Sequence, residues 1–293
     1  MRPIKIITDS CSDLGKELRE QYDIDYARMN TVYNDKETPA SLDFEYYSPK
    51  ELYDLMRSGE RVKTTQVPPA EFERIFTEYT DKGYDIVYIA CSSKQSGSIH
   101  TAEIVAKDLM EKCDASIFCI DSLNACMGEG ALAIRAAEYR DQGLSAEEVY
   151  SKTMADRKKI NEFVTVHSLD ALKASGRVSG SSAFFGNLLG VKPIIIADKN
   201  GVQTPIKKVK GRKNSIAELV NLLADVITDA ENQRVYIAHA DALEEAEEMK
   251  KLVEERIHPK EVYIGYIGPI IGASIGPEAL GIWAFGKEVT FEG

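Results

Sequence analysis

The sequence predicts an α/β protein of two units: an N-terminal doubly wound parallel sheet, residues 1–154, and a C-terminal mixed α/β unit, residues 155–293. Three observations carry this. Short apolar, β-branched runs alternate with helix-period segments through the first half, the pattern of parallel strands joined by crossover helices. These runs end in small polar clusters: Thr8-Asp9-Ser10, Cys91-Ser92-Ser93 and Ile120-Asp121-Ser122. The second half changes texture and carries a hairpin signal at Asn200-Gly201, in a chain whose 293 residues exceed one average domain.

Ile4-Lys5-Ile6-Ile7 reads as the first strand, and Asp9, Ser10 and Ser12 as caps or turn formers for a helix through Leu18. Residues 25–32 alternate weakly and read as a second strand before a turn at Asn34-Asp35-Lys36. Ser48-Pro49-Lys50-Glu51 starts a helix, with serine as cap, proline at the first helical position and Glu51 third. Two prolines then lock Thr64-Thr65-Gln66-Val67-Pro68-Pro69, so Val67 and Pro68 are extended and the threonines stand on a stiff platform ahead of a helix over 69–79.

The richest stretch is 85–110. A buried strand, Ile86-Val87-Tyr88-Ile89-Ala90, leads through Cys91-Ser92-Ser93-Lys94-Gln95-Ser96-Gly97-Ser98 into an amphipathic helix. In an open α/β sheet, ligands bind at such strand ends, against the positive end of a helix. Ser96-Gly97 offers a hydroxyl and an unobstructed backbone N–H; capping of the helix by these serines is the blander alternative. A strand over 115–120 and helices over 131–139 and 145–154 complete the first unit.

In the second half, residues 163–166 form a strand and 169–174 a short helix closed by Gly176. Residues 182–189 are strongly apolar. Residues 191–197 and 201–208 make the hairpin, followed by Lys207-Lys208-Val209-Lys210-Gly211-Arg212-Lys213, a basic run in an acidic protein. Helices over 215–227 and 242–255 flank strands over 234–238 and 262–266. Residues 267–282 are apolar and punctuated by glycine.

Composition narrows the function. A net charge of −11 argues against general nucleic-acid binding. No apolar run reaches the ~20 residues of a membrane span. Five cysteines without CxxC spacing read as reduced thiols, which places the chain in the cytoplasm, and four scattered histidines argue against a metal site. Gly-x-Ser-x-Gly and the glycine-rich nucleotide loops are absent. What remains is a set of neutral hydroxyl donors beside apolar surface, suited to gripping a carboxylate on an apolar tail. The competing reading is an enzyme, a hydrolase or small-molecule kinase subunit, that acts on a smaller anion.

Taken in order, the motifs resemble the DegV family of bacterial fatty-acid-binding proteins over almost the full length. They are Thr8-Asp9-Ser10 with Asp13-Leu14, Lys63-Thr64-Thr65-Gln66, Ser92-Ser93-x-x-Ser96-Gly97, Asp121-Ser122 with Met127-Gly128-x-Gly130, and Leu169-x-x-Leu172 before Gly176-Arg177-Val178-Ser179. Lys192-Pro193-Ile194, Lys210-Gly211-Arg212-Lys213 and Ile267-Gly268-Pro269-x-Ile271-Gly272 complete the series. The resemblance implies one long-chain fatty acid between two units, no other cofactor, no catalytic residue, and a separate fatty acid kinase that makes acyl phosphate. It implies that Thr64 and Ser96 bond the carboxylate, with Thr65, Ser93 and the Gly97 N–H beside them. Arg177, Lys210, Arg212 and Ser274 fall at the head-group end or the kinase-docking surface. Two departures stand out: Ser274 replaces the family's histidine, and Glu278 stands where the family has glycine.

Overall fold

The computed structural model describes residues 2–168, 170–179 and 190–293; the apolar stretch 182–189 and Leu169 lie outside them. In chain order the first half runs β1 (Ile4–Asp9), α1 (Lys16–Gln21), β2 (Ile24–Ala27), β3 (Asn30–Tyr33), β4 (Lys36–Pro39), α2 (Pro49–Arg57) and β5 (Lys63–Thr65). It continues with α3 (Pro69–Asp81), β6 (Asp85–Ala90), α4 (Ser98–Met110), β7 (Ile117–Asp121), α5 (Met127–Asp141) and α6 (Ala146–Asp156). The second half runs β8 (Ile160–Thr165), α7 (Asp170–Ser175), β9 (Val191–Ala197), β10 (Gln203–Lys210), α8 (Arg212–Val226) and β11 (Arg234–His239). Then come α9 (Leu243–Arg256), β12 (Glu261–Tyr266), α10 (Pro269–Ile275) and β13 (Leu280–Phe285).

The fold is α/β, with one parallel and one mixed sheet. The parallel sheet has the order β2-β1-β6-β7. Ile6, Ile7, Ile86, Val87 and Ile89 are fully buried in it, as expected for strands covered on both faces. The chain leaves β1 for β2 on one side and later returns to β6 on the other, so the crevice between β1 and β6 is a switch point. The mixed sheet has the order β10-β9-β8-β13-β11-β12; among the described strands the β11–β12 pair is parallel and the other pairs are antiparallel. A small sheet, β4-β3-β5, carries the threonine platform.

Helix α5 lies between the two large sheets. Ala131, Ala133, Ala136 and Ala137 are almost fully buried, and Gly130 lies so close to the Ser12 carbonyl that a Cβ would stand 2.7 Å from it. Small side chains let one helix fit between two sheets, and the cluster around it runs from Ile6 and Val87 to Tyr236 and Trp283. A second cluster packs α8 and α9 on the other face of the mixed sheet through Leu219, Leu223, Met249 and Val253. Among the described residues no helix is long and apolar enough to cross a membrane.

Several expectations change. The strand read over 25–32 is two strands in different sheets, interrupted at Arg28-Met29. Asp9, Ser10 and Ser12 do not cap α1, whose first turn follows Gly15 without a side-chain cap. Asp9 accepts instead from Cys11 N at 2.8 Å, Cys91 N at 3.2 Å and the Tyr88 hydroxyl at 2.8 Å, which ties the ends of β1 and β6 together. The basic run is divided between edge strand β10 and the first turn of α8. The glycine-punctuated end forms α10 and the central strand β13. The turn at Asn34-Asp35 agrees with expectation, both residues having positive φ, as does the Ser48–Glu51 capping box.

Candidate functional site

A cavity of about 440 Å³ lies between the parallel sheet's strand ends and the mixed sheet. Thr64, Thr65, Ser93, Ser96, Gly97, Arg177 and Ser274 all line it. Lys210 and Arg212 do not. A second cavity of about 710 Å³ adjoins it and shares Thr64, Arg177, Ser274 and Ile275.

The polar end is built by two loops held together. Val67 N donates to Ser98 Oγ at 3.2 Å, which fastens the platform to the head of α4. Ser98 N donates to Ser96 Oγ at 3.2 Å, and the two hydroxyls lie 2.9 Å apart. With the Ser98 hydroxyl donating, Ser96 keeps its own hydrogen for a ligand. Among the described residues the hydroxyls of Thr64, Thr65 and Ser93 and the Gly97 N–H have no hydrogen-bond partner. A Cβ on Gly97 would stand 2.2 Å from Gln66 Oε1, so glycine is what allows Gln66 to cross the helix start and reach Thr101. Four unsatisfied donors on a fixed frame suit an anion.

Cations flank this end. Arg177 donates to the Gln95 carbonyl at 3.3 Å, and Lys94 also lines the cavity. Lys94 is not among the residues expected at this site, although it sits in the same turn as Ser96. Ser274 Oγ donates back to the Ile270 carbonyl at 3.2 Å, so its hydroxyl is engaged by its own helix. Glu278 has φ +60°, a left-handed conformation that glycine adopts without strain, and it pairs with Arg57 at 3.3 Å and His167 at 3.1 Å. Arg212 is tied to Glu245 at 2.6 Å and to the Glu278 carbonyl, while Lys210 is exposed at the end of β10.

The opposite wall is mostly apolar: Met29, Cys11, Cys126, Val164, Val166, Leu172, Ile195, Ile270, Ile271 and Trp283. Alternation along β8 turns Glu162 and Val164 to the cavity, and Val166, just past the strand's end, also lines it. Cys11, Cys91 and Glu129 place sulfur and oxygen atoms within 4.8 Å of one another, and burial raises the pKa of Glu129. Hydrogen bonding to Cys91 and burial likewise raise that of Cys11.

Helix α10 is bolted to the first half through Asp13, whose Oδ1 accepts from Gly268 N at 2.8 Å, and through Tyr53, which donates to the Ile267 carbonyl. Burial pushes Asp13 up to about 7, against hydrogen bonds from Cys126 and Gly268. A carboxyl with a raised folded pKa contributes stability that is full below the unfolded value near 4 and is lost as pH rises through about 7. Asp13→Asn keeps the acceptor and removes the titration. It should therefore gain on the natural protein by more than about 1 kcal/mol between pH 5 and 8 in urea melts. Parallel pH profiles for the two proteins would contradict this.

A family model described as "Uncharacterised protein, DegV family" matches residues 3–287. The chain belongs to the DegV family. A DegV domain-containing protein of Clostridium perfringens is 35% identical over 287 residues, covering 98% of each chain. The crystal structure of DegV from Bacillus subtilis, described as a fatty acid binding protein, is 30% identical. It superposes with a TM-score of 0.85 over 97% of this chain and all of that one. A DegV lipid binding protein from Thermotoga maritima is 26% identical, with a TM-score of 0.86 over 99% of this chain and all of that one. These solved members of the family are described as binding proteins rather than as enzymes.

Proposed function

We propose that this chain carries one long-chain fatty acid without acting on it and presents the carboxyl group to a separate ATP-dependent fatty acid kinase. The observation that carries the first part is a single cavity with unsatisfied donors at one end and an apolar wall at the other, of a volume usual for small-molecule sites. In this reading Thr64, Ser96 and the Gly97 N–H hold the carboxylate, with Thr65 and Ser93 beside them and Arg177 and Ser274 at the same end. The acyl chain lies between the units 1–154 and 155–293. The fatty-acid-binding description of the 30%-identical B. subtilis protein supports it. Delipidated protein should then take up one equivalent of a radiolabelled long-chain fatty acid; uptake of none, for octadecanoic acid or any other long-chain acid supplied, would sink the reading.

The enzyme reading has less support. A hydrolase needs a base on its serine, and His100 stands exposed beside Glu103 at 3.4 Å rather than against Ser96.

The kinase partner rests on the family resemblance and on the exposed cation Lys210. Arg212 belongs to the same run but holds Glu245 and the Glu278 carbonyl, so its removal would disturb the fold as well as any docking. Lys210→Glu is the cleaner probe. It should leave fatty-acid affinity unchanged and slow acyl-phosphate formation by a cognate kinase several-fold. Weakened lipid binding with normal turnover would place Lys210 in the lipid site instead.

A further inference from the structure

Glu162 is a carboxyl group in the wall that should hold methylenes. It is 3% exposed and lines the cavity. Its Oε2 accepts from the Trp283 indole at 3.0 Å, across the β8–β13 register pair. Among the described residues its Oε1 has no hydrogen-bond partner. The Gln203 amide approaches this carboxyl, but among the described residues it does not reach hydrogen-bond geometry with Oε1. Gln203 lines the same cavity, and its register partner on β9 is the small Ala197, which leaves the row between them low.

A buried oxygen without a partner is costly beside an alkyl chain, which offers it nothing. Burial pushes Glu162 up to about 7, so the carboxyl is present in both protonation states near neutrality and is able to accept or donate. A hydroxyl group needs one acceptor and one donor, and a carboxyl next to a primary amide supplies both. An unbranched saturated chain would leave Oε1 unsatisfied or trap a water there.

We infer that the fatty acid carried by this chain bears a hydroxyl group along its tail, held between Glu162 and Gln203. The inference rests on the carrier reading above and narrows its ligand class to oxygenated fatty acids. It needs no covalent step: the hydroxyl donates to Glu162 Oε1 and accepts from the Gln203 amide. Glu162 then acts as a specificity determinant, remote from the carboxylate end.

The test compares octadecanoic acid with a series of monohydroxy-octadecanoic acids, the hydroxyl placed at different carbons, on delipidated full-length protein. At least one isomer should bind about tenfold or more tightly than octadecanoic acid, the scale of a hydrogen bond to a charged or partly charged group. Glu162→Leu should abolish that advantage, so that the variant binds the hydroxylated and the plain acid equally. Glu162→Leu also strips Trp283 of its acceptor. Gln203→Leu, which leaves the Glu162–Trp283 bond in place, gives a second reading and should reduce the same advantage. If no isomer outbinds octadecanoic acid, a water fills the gap and the inference is overturned. An advantage that survives both substitutions overturns it as well. If neither plain nor hydroxylated acids bind, the carrier reading falls with it.

Discussion

The double variant Thr64→Val, Ser96→Ala loses most of its affinity for long-chain fatty acids while folding normally. Each hydroxyl donates to a carboxylate in this account, and such a bond contributes about 1.5–3 kcal/mol, roughly a tenfold to hundredfold effect per site. Valine keeps the shape of threonine in β5, where Thr64 pairs with Thr31, so the small sheet keeps its register. Among the described residues the Ser96 hydroxyl bonds only to Ser98, and alanine leaves the Ser96 N–H to Ser92 carbonyl bond and the Ser98–Val67 link in place. Melting temperature and far-ultraviolet circular dichroism should therefore be unchanged while binding falls. An unaltered dissociation constant in the double variant would move the carboxylate away from this end.

The largest effect on stability is expected at Trp283. It is 1% exposed, lies among the largest buried side chains, and joins the mixed sheet to the cluster around α5. Trp283→Ala removes that packing and the hydrogen bond to Glu162, for a loss of about 3–5 kcal/mol in equilibrium unfolding. Trp283→Phe keeps most of the volume and isolates the hydrogen bond, so it should lose about 1–3 kcal/mol, the cost of leaving a buried acceptor unpaired. A loss below about 1 kcal/mol for alanine would mean that the cavity wall collapses to fill the space.

The sequence disclosed the strand ends because chemistry and periodicity coincide there. An apolar run that stops in Asp9-Ser10 or Ser92-Ser93 shows both where a strand ends and where donors gather. The polar end of the cavity was readable for the same reason: Thr64, Ser93, Ser96 and Gly97 occupy two short loops. Partnership between strands was not readable. Residues 24–33 look continuous, yet β2 joins the parallel sheet and β3 the small one, and no local pattern marks the change. The strand β13 was hidden behind the glycines that precede it, although Ile282, Trp283 and Ala284 are among the most buried residues of the second half. Neighbouring cations misled in the opposite sense: Lys210 and Arg212 are close in sequence, but one is exposed on a strand edge and the other is locked to Glu245. Glu162 gave no signal at all, because a carboxylate in a strand reads as solvent-facing until its register partner is known.

The most direct measurement is native mass spectrometry of the protein purified gently from a heterologous host. Burying ~15 methylenes at ~0.8 kcal/mol each yields a gross ~12 kcal/mol, enough for a ligand to survive purification. The expected result is a mass increment of one long-chain fatty acid per chain, released by organic extraction and restored by adding fatty acid to the stripped protein. Protein that arrives empty, and stays empty when saturated and unsaturated long-chain acids are supplied, would contradict it.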